Sequence, residues 1–237
     1  MEEMELLKGK INLEPTKSEM ELLKERIKLE SVESKMELLK EKIKLESMES
    51  KMELFKEKIR TAVMDSDYAE NIIVFGEGKE NAKICMIGEA PGGEEEKQRK
   101  PFVGRAGKIL WDFLEITGLK REQIYITNVV KFRPADRSKT GRTINRTPKK
   151  TEIDFFLPYL IEELMIVQPD IIVTLGNVPL KAVTGEESAT IGAMHGVMTT
   201  TKHSYQLFPL YHPASIIYNS GLAQTYQNDL QILKQYL

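Results

Sequence analysis

The sequence predicts an α/β domain built on a parallel sheet, and three observations carry that expectation. Apolar runs such as 171–176 (IIVTLG), set between Pro169 and Gly176, are nearly continuous rather than alternating, as strands buried on both faces read. Stretches of helical periodicity follow these runs, so strand and helix alternate along the chain. The run 83–87 also breaks at Gly88 into a loop holding Pro91, Gly92 and Gly93. A loop of this kind at the carboxyl end of a strand is where open α/β sheets place ligands.

Taken in order, strands are expected at 83–88, 123–130, 170–176 and 206–211, and helices at 105–117, 151–167, 177–184 and 222–236. The first helix, beginning near Gly104, would present Ile109, Leu110, Phe113 and Leu114 as its apolar face. The stretch 133–147 has no apolar periodicity and reads as an exposed basic loop. Strand, glycine-rich loop, Phe102 and helix together read as a pocket.

Upstream lies a helical extension, residues 1–60, made of a sixteen-residue repeat beginning at Met4, Met20, Met36 and Met52. Ser18 with Glu21, Ser34 with Glu37 and Ser50 with Glu53 are capping boxes, serine at N-cap and glutamate at N3. At 100° per residue such a period cannot keep one apolar face on a straight helix. The chain is expected to form several short helices or one long charged helix with a wandering stripe. Two readings stay open: an arm for self-association or an unknown protein contact, and a solvated extension produced by local duplication. Residues 61–82 connect it to the body, 83–237.

With 237 residues and 41% hydrophobic content, the chain can hold one ordinary domain and an appendage. Its only cysteine, Cys85, falls inside the first strand, which excludes a disulfide framework and a CxxC metal site. No apolar run approaches a membrane span, and the charged first residues do not read as a signal peptide, so a cytoplasmic protein with no membrane partner is expected. The net charge of −2 conceals an asymmetry, with 15 Lys/Arg against 20 Asp/Glu in 1–82 and 19 against 16 in 83–237. Between 131 and 150, eight basic residues face one acid, Asp136, a local field that would attract phosphates.

The string GEAPG (88–92), an acidic cluster at Glu94, Glu95 and Glu96, and PFVGRAG (101–107) closely resemble the uracil-DNA glycosylase superfamily, in particular its family 4 branch. ITNVVK (126–131) and HPASIIYN (212–219) extend the resemblance over roughly 83–237. It implies a three-layer α/β/α body with a central four-stranded parallel sheet, acting on uracil-containing DNA to hydrolyse the N-glycosidic bond and leave an abasic site. A non-catalytic nucleic-acid-binding or accessory protein that keeps the fold is the alternative.

The resemblance also assigns roles. Phe102 would stack on the base and Asn128 would read its edge, in a substrate site that includes Gly88, Ala90 and Gly92. A carboxamide can donate to uracil O4 and accept from N3–H, whereas cytosine reverses both polarities. His212 is the expected donor to O2 as negative charge develops on the leaving base. Ala90 stands where related glycosylases carry a water-activating aspartate, which leaves Glu89 and Glu95 as the carboxylates for positioning water or steadying the sugar cation. Ile216, with Ile217 beside it, would enter the duplex, and Lys131, Arg133, Arg137 and Ser215 would meet DNA. His195 and His203 lack such context and read as surface or loop residues.

Three departures stand out against family 4. Most members bind a [4Fe-4S] cluster through four cysteines, yet Phe132 and Phe156 occupy two of those positions. With no set of thiolates the cluster is expected to be absent and no metal to be bound, the two rings filling the space as an apolar plug. Tyr218 replaces a common arginine after the HP segment, and Arg99 replaces a glycine before PFVG.

Overall fold

The computed structural model describes residues 51–79, 81–201 and 204–237, with the side chain of Phe113 left out. The expectations for the repeats up to residue 50, for His203 and for the Phe113 side chain therefore lie outside the described residues. The chain divides into two compact units, Met1–Glu57 and Lys58–Leu237. Of the first, 51–57 are described and are helical.

The second unit opens its sheet with β1 (Glu77–Gly78) and β2 (Ile84–Gly88), followed by helices α1 (Gly93–Gln98) and α2 (Arg105–Leu114). Then come β3 (Tyr125–Asn128), the hairpin β4 (Ala135–Arg137) and β5 (Thr143–Asn145), and the long helix α3 (Lys150–Val167). The remainder runs through β6 (Ile171–Leu175), α4 (Asn177–Thr184), α5 (Ile191–Met194), β7 (Thr199–Thr200), β8 (Gln206–Leu210), α6 (Pro213–Tyr218) and α7 (Leu222–Lys234).

The main sheet has six strands in the order β1-β3-β2-β6-β8-β7. This corrects the expected four: β3, β2, β6 and β8 are mutually parallel, and β1 and β7 add antiparallel edges of two residues each, too short to show periodicity. Every residue of β2, β3 and β6 is buried, and the apolar core gathers Met86, Ile126, Val173, Phe208 and Leu110. Near-continuous apolar strands are what two covered faces require.

Two local differences bear on the site. The acidic run, which lies outside the expected helices, forms α1, with Glu94, Glu95 and Glu96 in its first turn, where the helix dipole favours negative charge. The stretch expected as a basic loop pairs as an antiparallel hairpin, Asp136 opposite Ile144. β2 lies between β3 and β6, so the chain leaves β2 to one side and later returns on the other. That reversal opens a crevice beyond the carboxyl ends of the strands.

Candidate functional site

The crevice is a cavity of about 620 Å³. Glu89, Ala90, Pro91 and Gly92 enter it from the end of β2, Phe102 and Gly104 from the loop after α1, Asn128 from β3, and His212 from the start of α6. The ladder explains the convergence, because its register sets Gly88 directly opposite Asn128. Val129 and Val130 N–H donate to the carbonyls of Gly88 and Glu89 and carry the pairing past the strand ends.

Gly88 lies behind the wall and permits its close packing. A Cβ there would collide with the Asn128 amide oxygen and lie 2.6 Å from the Phe102 ring. Phe102 is buried and holds a left-handed backbone, φ 54°, which a bulky residue adopts only when its surroundings impose it. The surroundings are visible: Trp111 Nε1 donates to the Phe102 carbonyl at 3.0 Å, and Gly107 abuts the same carbonyl. Arg121 in turn covers the Trp111 ring, 4.6 Å from its centroid, and donates to the Pro101 carbonyl at 3.1 Å. The Phe102 and His212 rings stand 6.2 Å apart, tilted by 36°.

Asn128 is 3% exposed, yet its side-chain amide has no hydrogen-bond partner among the described residues. Its polar atoms open onto the cavity, where a ligand or water can complete them. His212 caps α6, its Nδ1 accepting the Ala214 N–H at 3.1 Å. The ring sits deep among protein atoms, although part of the residue's surface stays open to the cavity. That burial drives its pKa down to about 4, with Glu95 opposing weakly. At neutral pH the imidazole is therefore uncharged, and with Nδ1 occupied as acceptor its proton resides on Nε2. The site thus offers a neutral donor.

The two carboxylates differ. Glu95 accepts from Gly92 N–H at 3.2 Å and Gly104 N–H at 2.7 Å and so straps the loop. The Glu89 side chain lines the cavity without a hydrogen-bond partner among the described residues, and burial raises its pKa above its ordinary value.

Among the expected DNA contacts, Lys131 requires correction. Its ammonium is 0% exposed and ion-paired with Glu163, so it cannot reach a phosphate. Arg133 is engaged by Asn145 at 2.7 Å and Glu96 at 3.2 Å, while Arg137 lies exposed on the hairpin. Ser215 Oγ donates to the His212 carbonyl at 2.6 Å within the first turn of α6. Ile216 does not face the cavity but packs on the core, because α6 rotates it inward; Ile217 and Tyr218 line the mouth instead. Tyr218 is 88% exposed. His195 is also not a bare surface residue: its Nδ1 lies 2.9 Å from Asp229 and its ring 4.8 Å from Tyr211.

Sequence reasoning missed Trp111, Glu163, and the Asn145–Thr147 rim, where Arg146 is held by two bonds to Glu152. The single tryptophan eight residues after the motif's Val103 was the available signal for Trp111. Away from the cavity, Phe132 and Phe156 meet edge to face at 5.7 Å. Tyr68 lies 5.2 Å from Phe132, and Phe155 4.9 Å from Phe156.

A family model described as the Uracil DNA glycosylase superfamily matches residues 75–234. The type-4 uracil-DNA glycosylase of Sulfurisphaera tokodaii is 40% identical over 167 residues, 68% of this chain and 72% of that protein. That of Saccharolobus solfataricus is 38% identical over 169 residues, 68% and 74% of the two chains. That of Thermotoga maritima is 33% identical over 167 residues, 70% and 83%.

Proposed function

Because the chain belongs to the uracil DNA glycosylase superfamily, we infer that it excises uracil from DNA by hydrolysing the N-glycosidic bond and leaving an abasic site. One observation carries the assignment of the site. A buried, unpartnered amide, a flat ring and a neutral imidazole donor meet in one cavity at the carboxyl edge of the sheet. Uracil extruded from the stack would lie against Phe102 and exchange two hydrogen bonds with Asn128, donation to O4 and acceptance from N3–H. Cytosine would present the opposite polarity at both atoms and leave buried groups unpaired.

As the C1′–N1 bond breaks, its electron pair passes to the base and the sugar becomes cationic. His212 Nε2–H donates to the negative charge developing at O2; preorganised donors of this kind contribute roughly 3 kcal/mol. A water oxygen then bonds to C1′, and its proton goes to the departing base or solvent. Ala90 supplies no base, so the approach of water depends on Glu89, the unpaired cavity carboxylate, while Glu95 shapes the loop. Ile217 and Tyr218 take the place expected of Ile216 in holding the vacated gap. Arg137, Lys139 and Arg142, exposed on the hairpin, supply phosphate contacts in place of Lys131.

The residues present do not fit a [4Fe-4S] cluster, which needs cysteine thiolates on its irons. The one cysteine, Cys85, is fully buried in β2, where burial pushes its thiol far above its ordinary pKa. The space near Phe132 and Phe156 is filled by the rings of Tyr68 and Phe155. This packing supports replacement of the cluster by an aromatic plug, and broad visible absorbance in protein purified without oxygen would contradict it.

The test is release of free uracil from an oligonucleotide with a single uracil, beside the same strand carrying cytosine. Release from the first alone is expected. Binding without release would favour a non-catalytic protein.

A further inference from the structure

We propose that the buried Lys131–Glu163 pair is a positioning device for the base-reading amide of Asn128, a role that rests on the uracil-excision reading above. The Lys131 ammonium has three N–H groups, and each has a partner: Thr127 Oγ1 at 2.7 Å, the Asn128 carbonyl at 2.7 Å, and Glu163. Glu163 also accepts the Tyr125 hydroxyl at 2.8 Å and the Thr127 hydroxyl at 3.0 Å. The two charged side chains are 0% and 1% exposed.

Stability alone is a poor reason for this arrangement. A buried ion pair exchanged for apolar side chains of similar volume commonly leaves a protein equally or more stable, because desolvation offsets the attraction. What the network does achieve is local. It grips the inner face of β3 at Tyr125 and Thr127 and then the carbonyl of Asn128, the last residue of the strand. The Asn128 amide has no hydrogen bond of its own among the described residues, so its position is inherited from the backbone and from the close approach of Gly88. A fixed peptide plane after Asn128 therefore fixes the backbone from which the amide projects, and sub-ångström placement is what a reading group requires. Glu163 comes from α3, the helix that also carries Phe156.

The experiment is a double-mutant cycle. Lys131→Met/Glu163→Leu removes both charges together, and Asn128→Ala removes the group they are said to place. With Asn128 present, the paired substitution is expected to keep the melting temperature within a few degrees of wild type or raise it. Uracil release is expected to fall at least about tenfold in kcat/KM, with discrimination against cytosine reduced. In the Asn128→Ala background the same pair of changes is expected to cost less than about twofold. Undiminished release with Asn128 present, or an equal further loss without it, overturns the proposal. If the paired variant does not fold, Glu163→Gln, which keeps the shape and an acceptor for Tyr125, is run through the same cycle and judged alike. A wild type that releases no uracil removes the uracil-excision reading and the proposal with it; an active wild type whose variants break the cycle removes the proposal alone.

Discussion

The two sides of β3 treat polar groups in opposite ways. On the cavity side, the side chains of Asn128 and the nearby Glu89 have no hydrogen-bond partners among the described residues, and His212 turns its one proton toward open space. On the inner side, Lys131, Glu163 and Thr127 bond to one another. The cavity side is partly open to solvent, whereas Lys131, Glu163 and Thr127 are enclosed. Satisfaction separates them as well: a saturated buried network belongs to the scaffold, and unpaired groups that open onto a cavity are free to meet a ligand.

The contrast can be broken from either side. The largest effect is expected on the cavity side, where His212→Ala should lower the rate of uracil release at least about a hundredfold, while the lost α6 cap costs only about 1 kcal/mol of stability. Steady-state excision kinetics beside a thermal melt check this. A matching loss of stability would mean that His212 belongs to the scaffold instead.

The scaffold side should show the reverse pattern. Phe156, 0% exposed within the ring cluster, should cost about 3–5 kcal/mol of stability on substitution by alanine. The variant that remains folded at low temperature should keep its preference for uracil over cytosine. Denaturant unfolding measures the first quantity and the release assay the second.

A smaller effect sharpens the boundary between the sides. Tyr218→Ala should raise KM for duplex substrate several-fold and change single-strand KM less, since a rim aromatic acts on the gap left by extrusion. Ile216→Ala should instead lower stability, as a residue packed on the core.

The smallest effect is a pH slope. The folded pKa of His212, about 4, lies below its ordinary value of 6.5. The unfolded chain therefore takes up the proton first as pH falls. His212 should contribute no pH dependence above 6.5, a progressive loss of stability from 6.5 down to about 4, and no further loss below that. His212→Asn should flatten this part of the stability profile, as read by melts across the range. Uracil release should pass through pH 6.5 without a step, because the neutral donor is already in place.

How far the sequence disclosed this arrangement follows the same division. That Asn128 and His212 would lie at one cavity was legible because each ends or follows an apolar strand within a string whose order and spacing resemble a known family. β2 and β6 were legible as unbroken apolar runs. Lys131 was misread because its partner, Glu163, is brought to it only by folding, 32 residues along the chain. A basic residue in a basic stretch reads as solvent-facing until the helix that covers it is known. Ile216 was misplaced for a related reason: α6 is a six-residue helix, and adjacent isoleucines do not say which of them turns inward. The acidic turn of α1 and the hairpin carry no apolar period, and β1 and β7 are two residues each, so periodicity had nothing to register.

The most direct test of the central claim is single-turnover uracil excision by wild type and Asn128→Ala at equal, saturating enzyme, with folding verified by a thermal melt. Rapid release by the wild type is expected, and release at least about tenfold slower by the folded variant. Equal rates would show that the unpartnered amide does not read the base, and the site described here would have to be given up.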